Sequence, residues 1–157
     1  MTVRFVALAT ETARHYQQGG ADANGQTPES RVSDGDGVPC RHCLAEVAAG
    51  NRYLVLAHRP FPAPQPYAEV GPIFVHADEC GRYDNEHAAP AEILDRPRML
   101  MRGYGADDRI VYGSGQVVPT PGLAQAAAEL LARDDIVYVH VRSASNNCFQ
   151  FRIERTA

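Results

Sequence analysis

The stretch IVYVHVRSASNNCFQFRI, residues 136–153, decides the fold. Its first arm alternates: Val137, Val139 and Val141 fall on one side, and Tyr138, His140 and Arg142 on the other. Its second arm also alternates, with Phe149, Phe151 and Ile153 on one side and Cys148, Gln150 and Arg152 on the other. Between the arms, Ser143, Ala144, Ser145, Asn146 and Asn147 have the chemistry of a turn. An antiparallel pair with Arg142 opposite Cys148 sets Val141 against Phe149, Val139 against Phe151 and Val137 against Ile153. His140 then faces Gln150, and Tyr138 faces Arg152. One face is wholly apolar, a condition that a one-residue slip destroys. An apolar sheet face needs a covering layer, and residues 121–133, just upstream, supply the clearest helix. Pro121 stands near its start, alanines and leucines fill its body, and Arg133 lies in its last turn. The expected fold is therefore α+β: a mixed, mostly antiparallel sheet, one long helix packed on one face, and a C-terminal β-hairpin.

The rest of the chain fits one domain spanning residues 1–157, an ordinary size for a single core. Residues 3–8, 52–58, 73–77, 99–104 and 109–112 read as strands, 11–18 as a short helix, and 89–94 as a helical turn. The Gly, Asp, Ser and Ala of residues 19–39 predict a long, mobile loop. Prolines at 60, 62, 64, 66 and 72 make 59–72 an extended connection, read as a rigid segment lying on the domain. Gly113-Ser114-Gly115 reads as a tight turn and does not match a nucleophile elbow.

Composition excludes several function classes. The net charge of −4 gives no basic stripe for nucleic acid. No apolar stretch approaches a membrane span. The apolar start, residues 2–10, is short, lacks a basic leader and runs into Glu11, which argues against a secretory signal and makes the cytoplasm the expected address. The chain contains no lysine, which removes Schiff-base chemistry and a phosphate-binding P-loop.

Two constellations remain. The polar side of the hairpin gathers Tyr138, His140, Arg142, Gln150 and Arg152, with Asn146 at its end. Two guanidiniums among neutral hydrogen-bonding groups suit a carboxylate or phosphate, and His140 could act as acid or base on an anionic small molecule. The plainer expectation is a polar face open to water. The second constellation is Cys40-Arg41-His42-Cys43 followed by His76 and Cys80. Two short ligand pairs, Cys40/Cys43 and His76/Cys80, would complete a tetrahedral zinc set. With three protein ligands and water, a hydrolytic metal using Asp78 or Glu79 as base is a further possibility. Buried, unreactive cysteines are the competing reading. A redox pair finds no βαβ context here. His42, His58 and His87 read as isolated.

The segments 39–44 (PCRHCL), 71–77 (GPIFVHA), 110–113 (IVYG), 138–143 (YVHVRS) and 146–151 (NNCFQF) together resemble the bacterial domain-of-unknown-function family 1203. The resemblance extends over nearly the whole chain except residues 19–35. It implies a stand-alone bacterial protein and brings no activity or catalytic residue.

Overall fold

The computed structural model describes residues 2–156. The alternating arms at the C-terminus do form paired strands, β7 (Tyr138–Ser143) and β8 (Phe149–Arg155), at the centre of a five-stranded sheet. Their neighbours are β1 (Val3–Val6), which pairs with β8, and β5 (Arg98–Tyr104), which pairs with β7; β6 (Gln116–Pro119) lies outside β5. Every pairing is antiparallel. A second antiparallel sheet holds β2 (Glu29–Val32), β3 (Arg52–His58) and β4 (Gly71–His76) in that order.

The fold is thus α+β, with two sheets where the sequence suggested one. The loop expected over residues 19–39 contains β2, which closes one edge of β3, while β4 takes the other edge. With both edges of β3 filled, no ladder among the described residues joins it to the larger sheet. Among the isolated bridges, one parallel pairing, Cys40 with Phe74, fastens the Cys40 turn to β4. Residues 109–112, expected as a strand, contribute a bridge from Ile110 to Tyr104, and β6 takes the outer edge of β5.

Helical structure is divided as well. α1 (Thr10–Gln17) buries Ala13 and Tyr16 against the core of the smaller sheet, where Leu54, Leu56, Ile73 and Val75 meet. The helix expected at 121–133 is shorter than that: Pro121 belongs to a 3-10 turn, Thr120–Gly122, and the α-helix runs only over Leu123–Leu131. The proline opens the segment as predicted, but the first turn it initiates winds tighter than an α-helix. A four-residue helix, α2 (Ala91–Leu94), precedes β5, so the helix over residues 123–131 is α3. Leu123, Ala127, Leu130 and Leu131 of α3 pack with Met99, Met101, Val139, Val141, Phe151 and Ile153 in one apolar layer.

The hairpin register differs from the simplest alignment. Val139 faces Ile153 and Val141 faces Phe151, two residues along from the expected pairs, and a bulge between Val141 and Arg142 then sets Arg142 opposite Phe149. A two-residue shift keeps the parity of the faces, so the apolar layer survives. Ile136, wholly buried, fills the place expected for Val137, which is 39% exposed. The bulge turns Phe149 onto the polar side, where its ring meets His140 at 4.8 Å. That side is not open to water. Tyr138, His140, Arg142 and Gln150 are all buried. The proline-punctuated connection crosses over them, and Phe61 packs its ring 5.3 Å from that of Tyr104 and 5.0 Å from that of His140.

Candidate metal centre

The Cys40–Cys43 turn closes on itself: the Leu44 amide donates to the Cys40 carbonyl at 2.9 Å, and Leu44 adopts a left-handed conformation, φ 57°. The Arg41 amide donates to the Phe74 carbonyl at 2.9 Å, which sets the turn against the end of β4. His76 ends that strand, and the loop beyond it brings Cys80 back. α1 holds the loop in place. Gln17 donates to the carbonyls of His76 and Asp78, and Arg14 donates to the Cys80 carbonyl at 2.9 Å.

The result is convergence of both ligand pairs. One donor atom from each of Cys40, Cys43, His76 and Cys80 lies within 4.8 Å of the others. Cys40 Sγ and Cys80 Sγ are 3.8 Å apart, and Cys43 Sγ is 3.5 Å from His76 Nδ1. A tetrahedral zinc with Zn–S of about 2.3 Å and Zn–N of about 2.05 Å requires sulfur–sulfur edges of about 3.8 Å and sulfur–nitrogen edges of about 3.5 Å. These two edges match that polyhedron, and the donor set of three thiols and an imidazole is one that can hold zinc.

Further hydrogen bonds support the sulfurs. The His76 amide donates to Cys40 Sγ at 3.3 Å. His42, which the sequence left isolated, is fully buried with Nδ1 3.2 Å from Cys80 Sγ and Nε2 2.9 Å from the Thr10 hydroxyl. With Cys80 as a metal-bound thiolate the sulfur can only accept, so Nδ1–H would donate to it and Nε2 would accept from the Thr10 hydroxyl. The position of His42 inside the C-x-x-C was a hint of this role, but only the fold brings Thr10 beneath it.

Proximity of the thiols dominates their acidity. The Cys43 and Cys80 thiols both donate toward Cys40, which holds Cys40 well below the ordinary thiol range. The same contact with Cys40 raises Cys43, and pushes Cys80 up to about 11. One thiolate is stabilised at the expense of its neighbours. Three thiolates this close need a cation.

The other residue of the turn reaches away from the cluster. Arg41, 3% exposed, donates through Nε to the Phe149 carbonyl at 2.6 Å and through Nη1 to the Pro39 carbonyl at 2.7 Å. Burial pulls its pKa down to about 10. The Cys40–Cys43 turn is therefore joined to the bulge of the larger sheet by a buried guanidinium.

The candidate ligand residues of the hairpin separate into different surroundings. Arg142 and Asn146 line a cavity of about 210 Å3 together with His58, Glu69, Asn147 and Phe149. His140 and Arg152 line a second cavity of about 280 Å3, which shares His58 and Phe149 with the first. Tyr138 donates its hydroxyl proton to Asp108 at 2.8 Å, and Gln150 donates to the Cys148 carbonyl at 3.1 Å. Arg152 lies over the Tyr138 ring at 3.7 Å and pairs with Glu154 at 2.6 Å. Burial, reinforced by Arg142, Arg152 and Arg102, pushes His140 well below its usual range, and burial pushes His58 down to about 4. Both imidazoles are neutral. His58 and Glu69 had no signal in the sequence linking them to the hairpin, because they come from the other sheet and from the connection.

A two-sheet α+β domain with a three-cysteine, one-histidine cluster is the class that this fold and site define. The chain belongs to the family described as protein of unknown function, DUF1203, whose model matches residues 37–155. That span includes all four cluster residues and the whole hairpin, and omits β1, α1 and β2. No curated protein and no solved structure matches the chain. Among the described residues no helix is long and apolar enough to cross a membrane.

Proposed function

We propose that the protein is a zinc-stabilised domain, with Cys40, Cys43, His76 and Cys80 as the four ligands. The observation that carries this reading is the meeting of four donor atoms within 4.8 Å of one another, with the Cys40–Cys80 and Cys43–His76 edges at the lengths of a zinc tetrahedron. Four protein ligands fill the shell of a tetrahedral zinc, the pattern of a structural site. A hydrolytic site would keep a position for water. Its candidate base Glu79 is 72% exposed and turned toward Arg14 at 3.6 Å. The metal would lock the turn at Cys40 to the end of β4 and, through Arg41 and Phe149, brace the smaller sheet against the larger. The domain would serve as a binding module whose metal sets its shape.

Elemental analysis of the untagged protein tests this, with Cys80→Ser beside it. The expected outcome is near-stoichiometric zinc in the wild type, loss of zinc in the variant, and a lower Tm when a strong chelator is added, because metal binding contributes folding free energy. Metal-free wild-type protein that melts identically with and without chelator would reject the reading.

A further inference from the structure

The four candidate ligands are not equally protected. Cys40 is wholly buried, whereas Cys43 and Cys80 are partly exposed. Cys43 Sγ lies 3.5 Å from His76 Nδ1 and 4.0 Å from the Ala45 carbonyl. Cys80 sits in the irregular segment between β4 and α2, with Glu79 and Gly81 exposed on either side of it. A ligand on such a segment can move without breaking a sheet ladder.

Cationic and donor groups stand close to Cys80. Arg14 pairs through Nε with Glu79 at 3.6 Å and keeps Nη2 on the Cys80 carbonyl at 2.9 Å, and its charge favours the Cys80 thiolate. His42 Nδ1 stands 3.2 Å from Cys80 Sγ. Partly exposed thiolates in electropositive surroundings are the ones that react with oxidants. A second sulfur is in place to complete such a reaction, because Cys40 Sγ is 3.8 Å from Cys80 Sγ. A disulfide holds its sulfurs about 2.05 Å apart, so a closing movement of about 1.8 Å brings the two together.

We propose that the cluster is a hydroperoxide-sensitive switch, in which oxidation joins Cys80 to Cys40 and releases the zinc. The proposal rests on the zinc reading above and adds the regulation of that site. The Cys80 thiolate attacks a peroxide oxygen. An S–O bond forms, the O–O bond breaks, and the departing oxyanion takes a proton from solvent, leaving as an alcohol or as water. Cys80 is then a sulfenic acid. The Cys40 thiolate attacks the Cys80 sulfur, the S–S bond forms, and the S–O bond breaks with loss of hydroxide, which solvent protonates. The two thiolates give up two electrons in all, and the peroxide gains them. Cys43 and His76 remain, too few ligands for a site that zinc fills with four.

The change reaches beyond the cluster. Without the metal, Cys43 loses its tie to His76 at the end of β4. Arg41, in the same turn, carries the bond to the Phe149 carbonyl of the larger sheet. The oxidised domain keeps one covalent tether, from the turn to the Cys80 loop, and loses the four-way junction that braces the two sheets. A dithiol reductant together with zinc restores the junction.

The test compares the full wild-type chain with Cys148→Ser, and zinc is measured by elemental analysis before any oxidant is added. Cys148 is a free, partly exposed thiol just before β8 and outside the cluster, so it serves as an internal standard in the wild type, and its removal leaves only cluster thiols. Hydrogen peroxide is the probe, a chromogenic chelator reports released zinc against a peroxide-free control, and mass spectrometry maps the disulfide. The expected result is release of the bound zinc with loss of two thiols per chain, a Cys40–Cys80 disulfide, a lower Tm, and recovery of zinc binding after dithiothreitol and zinc. Cys80 should be oxidised about tenfold or more faster than Cys148, because a metal-bound thiolate is ionised outright and an ordinary thiol only to a few per cent near pH 7. Protein without zinc before oxidant overturns the zinc reading and this proposal with it. Protein that holds zinc and keeps it while Cys148 is oxidised overturns this proposal alone, as does zinc release with a Cys40–Cys43 disulfide or with no disulfide.

Discussion

Replacing His42 by phenylalanine probes the metal centre without touching a ligand. The ring is fully buried, and phenylalanine fills a similar volume, so packing is largely conserved. What disappears is the Nδ1–H donor 3.2 Å from Cys80 Sγ. In the zinc-bound state that sulfur is a thiolate, and a hydrogen bond to a charged group contributes about 1.5–3 kcal/mol. Loss of such a supporting partner weakens metal binding by about 10–100-fold. The orphaned Thr10 hydroxyl adds little, because Thr10 is exposed and finds water. Zinc affinity is measured by competition with a chromogenic chelator, and cobalt substitution reports whether the tetrahedral geometry survives. His42→Asn, whose amide nitrogen stands near the position of Nδ1, should recover part of the loss. Wild-type affinity in His42→Phe would refute the argument, since it would mean that the sulfur has no need of the imidazole donor.

Three more outcomes follow from the packing. His58 is buried and neutral with its pKa near 4, against an ordinary value of 6.5, so the unfolded chain binds the extra proton first. Its contribution to stability is complete above about pH 6.5 and is lost as pH falls toward 4, amounting to about 2 kcal/mol by pH 5; denaturant melts of wild type and His58→Gln should converge by that amount between pH 7.5 and pH 5. Gly103→Ala should cost about 1–3 kcal/mol, read as a lower denaturant midpoint at constant m, because a Cβ there lies 2.8 Å from Ile136 Cδ1 and 3.1 Å from Ser114 Cβ. Phe61→Ala should cost about 3 kcal/mol or more in the same assay, since its ring closes over Tyr104 and His140.

Some of this architecture was legible in local patterns. Alternation over residues 136–153 named the hairpin, and its apolar layer of Val139, Val141, Phe151 and Ile153 survives in the structure. The register did not survive, because alternation fixes parity and is blind to a two-residue shift or to a bulge at Gln150. The helix was placed within a few residues, and the proline marked its entry without revealing the 3-10 turn. β2 escaped notice because its sequence, Glu-Ser-Arg-Val, is exposed throughout and carries no apolar period.

The sequence by itself determined the components: an α+β domain, two short ligand pairs of the right chemistry, and a hairpin with two arginines on its polar side. Spacing within each pair is a local property, so the chain could state it directly. Only the tertiary structure decided that the pairs meet, since the Cys40–Phe74 bridge joins a turn to a strand far from it in sequence. It also decided that His42 leans on Cys80, and that the polar side of the hairpin lies beneath Phe61 and Glu69 instead of in water. Those are long-range contacts. They depend on which sheet edges are already filled and on where a proline-stiffened connection comes to rest, and no local periodicity encodes either.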